Sequence, residues 1–405
     1  MRTTRVLEKL LCIQGARILD VKLDAERREV VLHVATLKRR HFCPSCPFAT
    51  RASYDGEVRR WRHIGVGGWK VFLEMEVRRL TCPRHAVITE RVPWAEHASW
   101  FTRDFEDVVT WMARQMAKTA IVELAQIAWR TVGRILCRTV ARRLDDQRLE
   151  GLVEIGIDEV SYRGGHRYLS VIANHQTGDV VWLGEGKSTD SVLPFFDELG
   201  PERCAAVRAV TIDMSPAFIK AVEEKCPNAA IAFDPFHVVK LANAAVDEVR
   251  REEVRTRKGT VEGHAIKGTR WTLLKAPESL RPDERLRLAD VARLNLRLYR
   301  AYLFKEELRQ LYQCAKDAAP EHFDACLAWA SRSRIGPLVK LGRTLRKHRD
   351  GILAAIHLGL SNGRLEGINN KIGMLKHRAF GFHSAGALMA LVYLCCAHVY
   401  VKLPW

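Results

Sequence analysis

Residues 152–162, LVEIGIDEVSY, decide how this chain is read. The apolar run Val153–Ile157 has strand composition and ends on an acid, Asp158. A second run, Ala209–Ile212, ends in the same way on Asp213, and a third acid, Glu366, lies in SNGRLEGINNKI (361–372). A carboxylate just past a strand end is held by sheet hydrogen bonds yet faces the open edge, where it can share a divalent cation with a neighbouring strand. Any one of these acids alone reads as an ordinary turn or helix-surface residue. The three together have the layout of a metal-dependent nuclease of the ribonuclease-H type, with Glu366 supplied by a later helix, and suggest a polynucleotidyl transferase.

The flanking pattern agrees with that layout. HRYLSVIANHQTGDVVWLGEGKS (166–188), turning at Gly178, adds two strands, and AVRAVTIDMS (206–215) and AAIAFDPFHVV (229–239) add two more, with helices over Ser191–Leu199 and Pro216–Lys225. Three strands in a meander, a helix, a strand ending in an acid, a helix and a further strand is the ribonuclease-H order. From about Val238 to Lys347 the pattern is helical, and the charged runs Asp247–Lys258 and Arg281–Leu311 read as solvated faces. Glu366 therefore lies beyond a large helical insertion.

Upstream, Cys43-Pro-Ser-Cys46 and Cys82-Pro-Arg-His85 form two knuckles, each with two zinc-type ligands three residues apart. Cys3His is a closed tetrahedral shell suited to structural Zn2+. Between them, Trp69–Val77 alternates as a ribbon strand, and a module this small leans on its metal for stability. His41 and His63 are alternative fourth ligands without the knuckle spacing. In residues 101–144, Phe105, Val108, Val109, Met112 and Met116 mark a helix face with Thr102 as N-cap; a short helix begins after Thr119, and a polar turn follows near Gln126–Ala128. A third helix turns Val132, Ile135, Leu136 and Val140 inward and Arg130, Thr131, Arg134 and Arg138 outward. That is a helix-turn-helix able to enter a major groove. A trihelical bundle with a solvated basic face has the same pattern.

Composition narrows the partners. The chain has 405 residues, too many for a single core, and 65 Lys and Arg against 47 Asp and Glu give +18 and a pI near 9.6. Such a charge favours a polyanion, whose counterions are released on binding. No apolar stretch is long enough to span a bilayer, and the first residues lack a signal-peptide core, so a cytoplasmic, nucleoid-associated protein is expected. Most of the 11 cysteines sit in apolar helical patterns as reduced core thiols.

IGIDEVSYRGGHRY (155–168), VTIDMSPAFIKAV (210–222), FDPFHVVKLAN (233–243), NGRLEGINNKI (362–372) and KHRAFGF (376–382) resemble motifs of insertion-sequence transposases of the ISL-three family. So do the knuckles and KTAIVELAQIAWRTVGRI (118–135). The resemblance covers nearly the whole chain in order. It implies a catalytic DDE set at Asp158, Asp213 and Glu366 holding Mg2+ (or Mn2+), and reading of the element's terminal inverted repeats in double-stranded DNA. A homodimer or higher oligomer on that DNA is the expected assembly. The expected fold is multidomain α+β: a zinc-ribbon-like module (1–98), a helix-turn-helix (99–149), a ribonuclease-H-like catalytic domain (150–240), a helical insertion (241–350) and the rest of the catalytic domain with its Glu helix (351–405).

Further residues fit that chemistry. His237, three residues after Asp234, looks like an Asp-x-x-His signature and would contact the scissile phosphate or orient Asp213; a helix N-cap Asp with a satisfied His reads equally well. Arg270-Trp271 resembles a pair that stacks on an extruded base in some hairpin-forming relatives, although most Trp residues are core or interface anchors. Around Glu366, Asn362, Arg364, Asn369, Asn370, Lys371, Lys376, His377 and Arg378 suit DNA phosphates. Two other functions share these features: a catalytically inactive, transposase-derived repressor, and a nuclease or resolvase that hydrolyses without joining.

Overall fold

The computed structural model describes residues 3–397 and 399–405. It divides into two compact units, one comprising Met1–Asp145 with Met374–Trp405, the other Asp146–Gly373.

The first unit opens with α1 (Thr3–Leu11), β1 (Ala16–Asp24), β2 (Glu29–Thr36), the short hairpin β3 (His41–Phe42) and β4 (Ala49–Thr50), then β5 (Asp55–Val66), β6 (Trp69–Cys82) and β7 (Ala86–Thr89). Its main sheet runs β1-β2-β6-β5, with β7 added to the far part of β6. β5 and β6 form one long hairpin because Gly67 and Gly68 take positive φ at its tip. Alternation sends Leu32, Val34, Trp61, Val71, Leu73 and Val77 into one small core, where Trp61 meets Trp94 edge-on at 5.7 Å. A second, smaller cluster consists of Cys43, Leu80 and Cys82 with Cys46, Phe48 and Ile88 against it.

Three helices follow: α2 (Arg103–Gln115), α3 (Lys118–Ala125) and α4 (Trp129–Arg143). Thr102 caps α2 by accepting the Phe105 N–H at 3.3 Å. α3 starts at Lys118, slightly earlier than the sequence suggests, and ends on Gln126 in the left-handed region, which makes the tight turn into α4. Val132, Ile135, Leu136 and Val140 are buried as the periodicity requires.

The second unit carries β8 (Glu154–Arg163), β9 (Arg167–Asn174), β10 (Val180–Glu185), α5 (Thr189–Leu199), α6 (Pro201–Ala206), β11 (Ala209–Ile212), α7 (Pro216–Lys225) and β12 (Ala230–Phe233). The order is β10-β9-β8-β11-β12, antiparallel through the meander and parallel from β8 to β12. β8 does not stop at Asp158. It continues to Arg163 because β9 stays paired to it, Asp158 lying opposite Val171. Helices α8 (Pro235–Thr256), α9 (Val261–Lys267), α10 (Arg270–Leu274), α11 (Pro282–Leu294), α12 (Leu296–Gln310), α13 (Ala319–Arg332), α14 (Gly336–Lys347) and α15 (Arg349–Leu358) then share one core with the sheet, Phe304 and Phe323 joining Phe195, Phe218 and Phe233.

α16 (Gly363–Arg378) carries Glu366, and α17 (Ala385–Cys396) packs on α4 and α2. The stretch 351–405 is therefore not one piece. Its last part belongs to the first unit, because the apolar α17 finds its cover on the three-helix group. No helix among the described residues is long and apolar enough to cross a membrane.

Candidate active site

The parallel pairing of β8 with β11 ends at Gly156 opposite Thr211. Two residues further along the chain from each stand Asp158, still within β8, and Asp213. Asp158 keeps its β9 partner while its β11 side is open, and Asp213 lies just past the end of β11, so the two carboxylates share one edge. Asp158 accepts the Glu159 N–H at 2.8 Å and, on its other oxygen, the Asn369 side-chain amide at 2.8 Å. Burial pushes its carboxyl up to about 6, and Asp213 and Asp234 push the same way against the Glu159 N–H and His237. Asp213 accepts the Ser215 N–H at 3.0 Å, which fixes the turn into α7.

α16 is seated on this edge by polar contacts at its start. The buried Asn362 donates its N–H to Asp234 at 3.2 Å and accepts the Thr211 hydroxyl. Arg364 donates to the carbonyls of His175 and Gln176, the latter at 2.7 Å. Leu365 fills the space over Gly156, where a Cβ would come within 2.5 Å of its methyl. Asn362, Glu366 and Asn369 are spaced i, i+4 and i+7, hence on one helix face. That face is tied to Asp234 at one end and Asp158 at the other, with the exposed Glu366 between.

Asn362, Arg364 and Asn369, expected to hold DNA phosphates, are thus turned to protein partners. The physical reason is that burying a helix start demands acceptors and donors for its polar groups. Asp234 occupies the N-cap position of α8 but makes no side-chain cap; its carboxylate serves Asn362 and stands 4.0 Å from His237 Nε2. His175 and Thr211, both buried and hydrogen-bonded to each other, had no signal in the sequence pattern.

The donor set fits a hard divalent cation. Asp213 and Asp234 raise the proton affinity of the buried Asp158, and the Asn369 Oδ1 atom is buried without a hydrogen-bond partner among the described residues. A cation held at such an edge would relieve that repulsion and favour the ionised form of Asp158.

The knuckles converge. Cys46 Sγ is 3.6 Å from Cys82 Sγ, His85 Nδ1 is 3.5 Å from the sulfurs of Cys43 and Cys82, and all four ligand atoms lie within 4.8 Å of one another. Tetrahedral zinc with Zn–S near 2.3 Å spaces sulfurs about 3.8 Å apart. Burial opposes the Cys82 thiolate, but N–H groups of Arg84 and His85 with the His85 ring and Cys46 outweigh it and bring the thiol down to about 6. His41 and His63 do not substitute for His85, since the first bonds Glu90 at 2.8 Å and the second Thr102 at 2.9 Å.

On α4, Arg130 and Arg134 are exposed and Thr131 is half-buried. Arg138 departs from the expected outward face. It donates to the fully buried Glu106 of α2 at 2.8 and 2.6 Å, because a buried carboxylate requires a counter-charge. Arg378 departs likewise, donating at 2.9 Å to the carbonyls of Arg114 and Ala113 at the end of α2. Arg270 lies 5.1 Å from the exposed Trp271 ring and 3.6 Å from Asp247. Lys371 is exposed and Lys376 half-buried.

Comparison with known proteins assigns each of these regions. Residues 155–392 match a family described as transposase, 90–140 the helix-turn-helix domain of transposase family ISL3, and 39–85 the zinc-finger of transposases IS204, IS1001, IS1096 and IS1165. The transposase for insertion sequence element IS1557 of Mycobacterium tuberculosis is 37% identical over 441 aligned residues, covering 100% of this chain and 98% of the relative. That for IS1001 of Bordetella parapertussis is 28% identical, covering 94% and 95%. With a zinc finger, a helix-turn-helix and a transposase domain following one another along a full-length match, the chain belongs to the ISL3 family of insertion-sequence transposases, and is a DNA-binding transposase.

Proposed function

We propose that Asp158, Asp213 and Glu366 form the DDE set of a magnesium- (or manganese-) dependent polynucleotidyl transferase on a ribonuclease-H-like sheet, with α8–α15 as its helical insertion. The enzyme binds the terminal inverted repeats of its element and catalyses cleavage and strand transfer. One observation carries this reading: the β8–β11 pairing stops two residues before both aspartates, and Asn369, one turn after Glu366 on the same helix face, bonds Asp158 at 2.8 Å.

Divalent ions held there would activate the attacking oxygen and stabilise the leaving one. The protein's own part is to hold the three carboxylates in register, through the sheet for two and through Asn362 and Asn369 for the third. His237, 4.0 Å from Asp234, contacts the scissile phosphate or orients Asp213. Arg130, Thr131 and Arg134 read duplex DNA from the N-terminal half of α4, Lys371 and Lys376 hold backbone phosphates, and Arg270 and Trp271 stack on a base. Zn2+ on Cys43, Cys46, Cys82 and His85 is structural. The domains run 1–98, 99–149, 150–240 and 241–350, with the first part of 351–405, including the start of the Glu helix, closing the catalytic part and the remainder belonging to the first unit, and the protein works as a homodimer or higher oligomer on nucleoid DNA.

Asp158→Asn, Asp213→Asn and Glu366→Gln are each expected to lower magnesium-dependent cleavage of a duplex carrying the element's ends by at least about 100-fold, with binding retained. Full cleavage by one variant removes that residue from the set. Wild-type binding without cleavage identifies a repressor, and cleavage without joining a hydrolytic nuclease or resolvase.

A further inference from the structure

The corner where α8 gives way to α9 carries a groove of about 520 Å³ whose lining includes Arg250, Arg251, Arg255, Lys258, His264 and Lys267 and no acid. Its lack of acids follows from how the neighbouring carboxylates are used. Glu253 is buried against Asn295, Arg257 and Arg297; Glu252 pairs with Arg297, and Glu262 with Arg257. Asp247 is shared among Arg250, Arg251 and Arg270. After that pairing, no carboxylate among the described residues lies within ion-pair distance of Arg255, Lys258 or Lys267, all three exposed. Uncompensated cations crowded on one groove repel each other, and the fold keeps them together without an internal counter-charge.

The spacing has a matching ligand. Arg251 and Arg255 lie one turn apart on α8, a rise of about 6 Å, and Lys258 follows two residues past the end of the helix, so the three cations line the groove in succession, as neighbouring phosphates of one DNA strand would require. His264 and Lys267, three apart on α9, form the opposite wall, and Val254 with Gly263 lies between. Gly263 has no room for a side chain, since a Cβ would meet the Arg257 carbonyl at 2.1 Å, and this brings α9 close enough to make the second wall. We propose that this groove binds the phosphodiester backbone of one DNA strand, as a further DNA contact separate from the helix-turn-helix and from the residues assigned to DNA above. The proposal rests on the DNA-binding reading above and adds a surface to it.

The test is the salt dependence of affinity for a random duplex, measured with the full chain. Neutralising three cations with Arg255→Gln, Lys258→Gln and Lys267→Gln should reduce the slope of log affinity against log salt by about 2 to 3, since each phosphate contact contributes about 0.9. A control with the same charge change, Arg285→Gln, Arg287→Gln and Arg293→Gln at exposed positions of α11, should leave the slope within about 0.5 of wild type. An unchanged slope in the groove variant, with an unchanged thermal midpoint showing that it is folded, overturns the proposal; so does an equal fall in both variants. If the wild type shows no salt-dependent DNA binding, the DNA reading itself fails instead. Loss confined to a nucleotide or inorganic pyrophosphate competitor, with the duplex slope intact, would mark the groove as a small-phosphate site and also overturns the proposal.

Discussion

Asn369 shows how a neutral side chain can govern a charged site. Its amide donates to the same carboxylate that burial biases towards protonation, so it favours the ionised Asp158 and fixes the carboxylate's orientation. Replacing it with Ala should lower cleavage about 10- to 100-fold while leaving DNA affinity unchanged, the usual cost of losing a residue that orients a metal ligand. Cleavage at the wild-type rate would count against that role, and a higher optimal magnesium concentration in Asn369→Ala would locate the defect in metal binding. His63 acts on stability instead. Burial lowers its pKa to about 4, and its ring nitrogen meets the Thr102 hydroxyl that caps α2. A histidine whose folded pKa lies below its unfolded value of 6.5 contributes stability that is present above pH 6.5 and lost as pH falls towards 4, about 3 kcal/mol at most. Chemical denaturation of the wild type should therefore weaken between pH 6.5 and 4, and His63→Gln should flatten that part of the profile.

Among the elements, α4 turns its arginines two ways, Arg134 exposed and Arg138 paired with the buried Glu106. Arg134→Ala should reduce discrimination between terminal-repeat and random duplex at unchanged stability, whereas Arg138→Ala should cost on the order of 2–3 kcal/mol of stability by leaving Glu106 short of its main partner. Footprinting with random competitor and a melting curve separate the two effects; a stable Arg138→Ala with relaxed specificity would reverse the assignment. Periodicity could read the inward face of this helix, because Val132, Ile135, Leu136 and Val140 repeat at helical spacing. It could not tell Arg134 from Arg138, since both lie off that face and only the fold brings Glu106 under one of them. The same limit applies at β8: the apolar run marked the strand, but its continuation beyond Asp158 depends on pairing with β9. The four zinc-type ligands were legible because their spacing is itself the chemistry. Thr211, His175 and the amides that seat α16 were not, because each is defined by a contact distant in sequence.

Over the whole molecule, the two cores respond differently to loss of metal. The cluster of Cys43, Leu80 and Cys82 is too small to hold the knuckles together alone, while the sheet of the second unit shares a core with eight helices. Chelation, or Cys43→Ser, should release one zinc per chain and loosen the first unit, detected as loss of protease protection over residues 39–85, with protection over 154–233 retained. Zinc-free protein with full protection of both would remove the metal from the account. The position of α17 has a different consequence. This helix comes from the last part of the chain, yet it covers the apolar side of α4 and α2, which were made more than two hundred residues earlier. At ordinary elongation rates the ribosome takes roughly 10 to 45 s to cross that interval. Throughout it α2 and α4 lack that cover, so the three-helix group completes its packing only after the sheet of the second unit and its eight helices have been made.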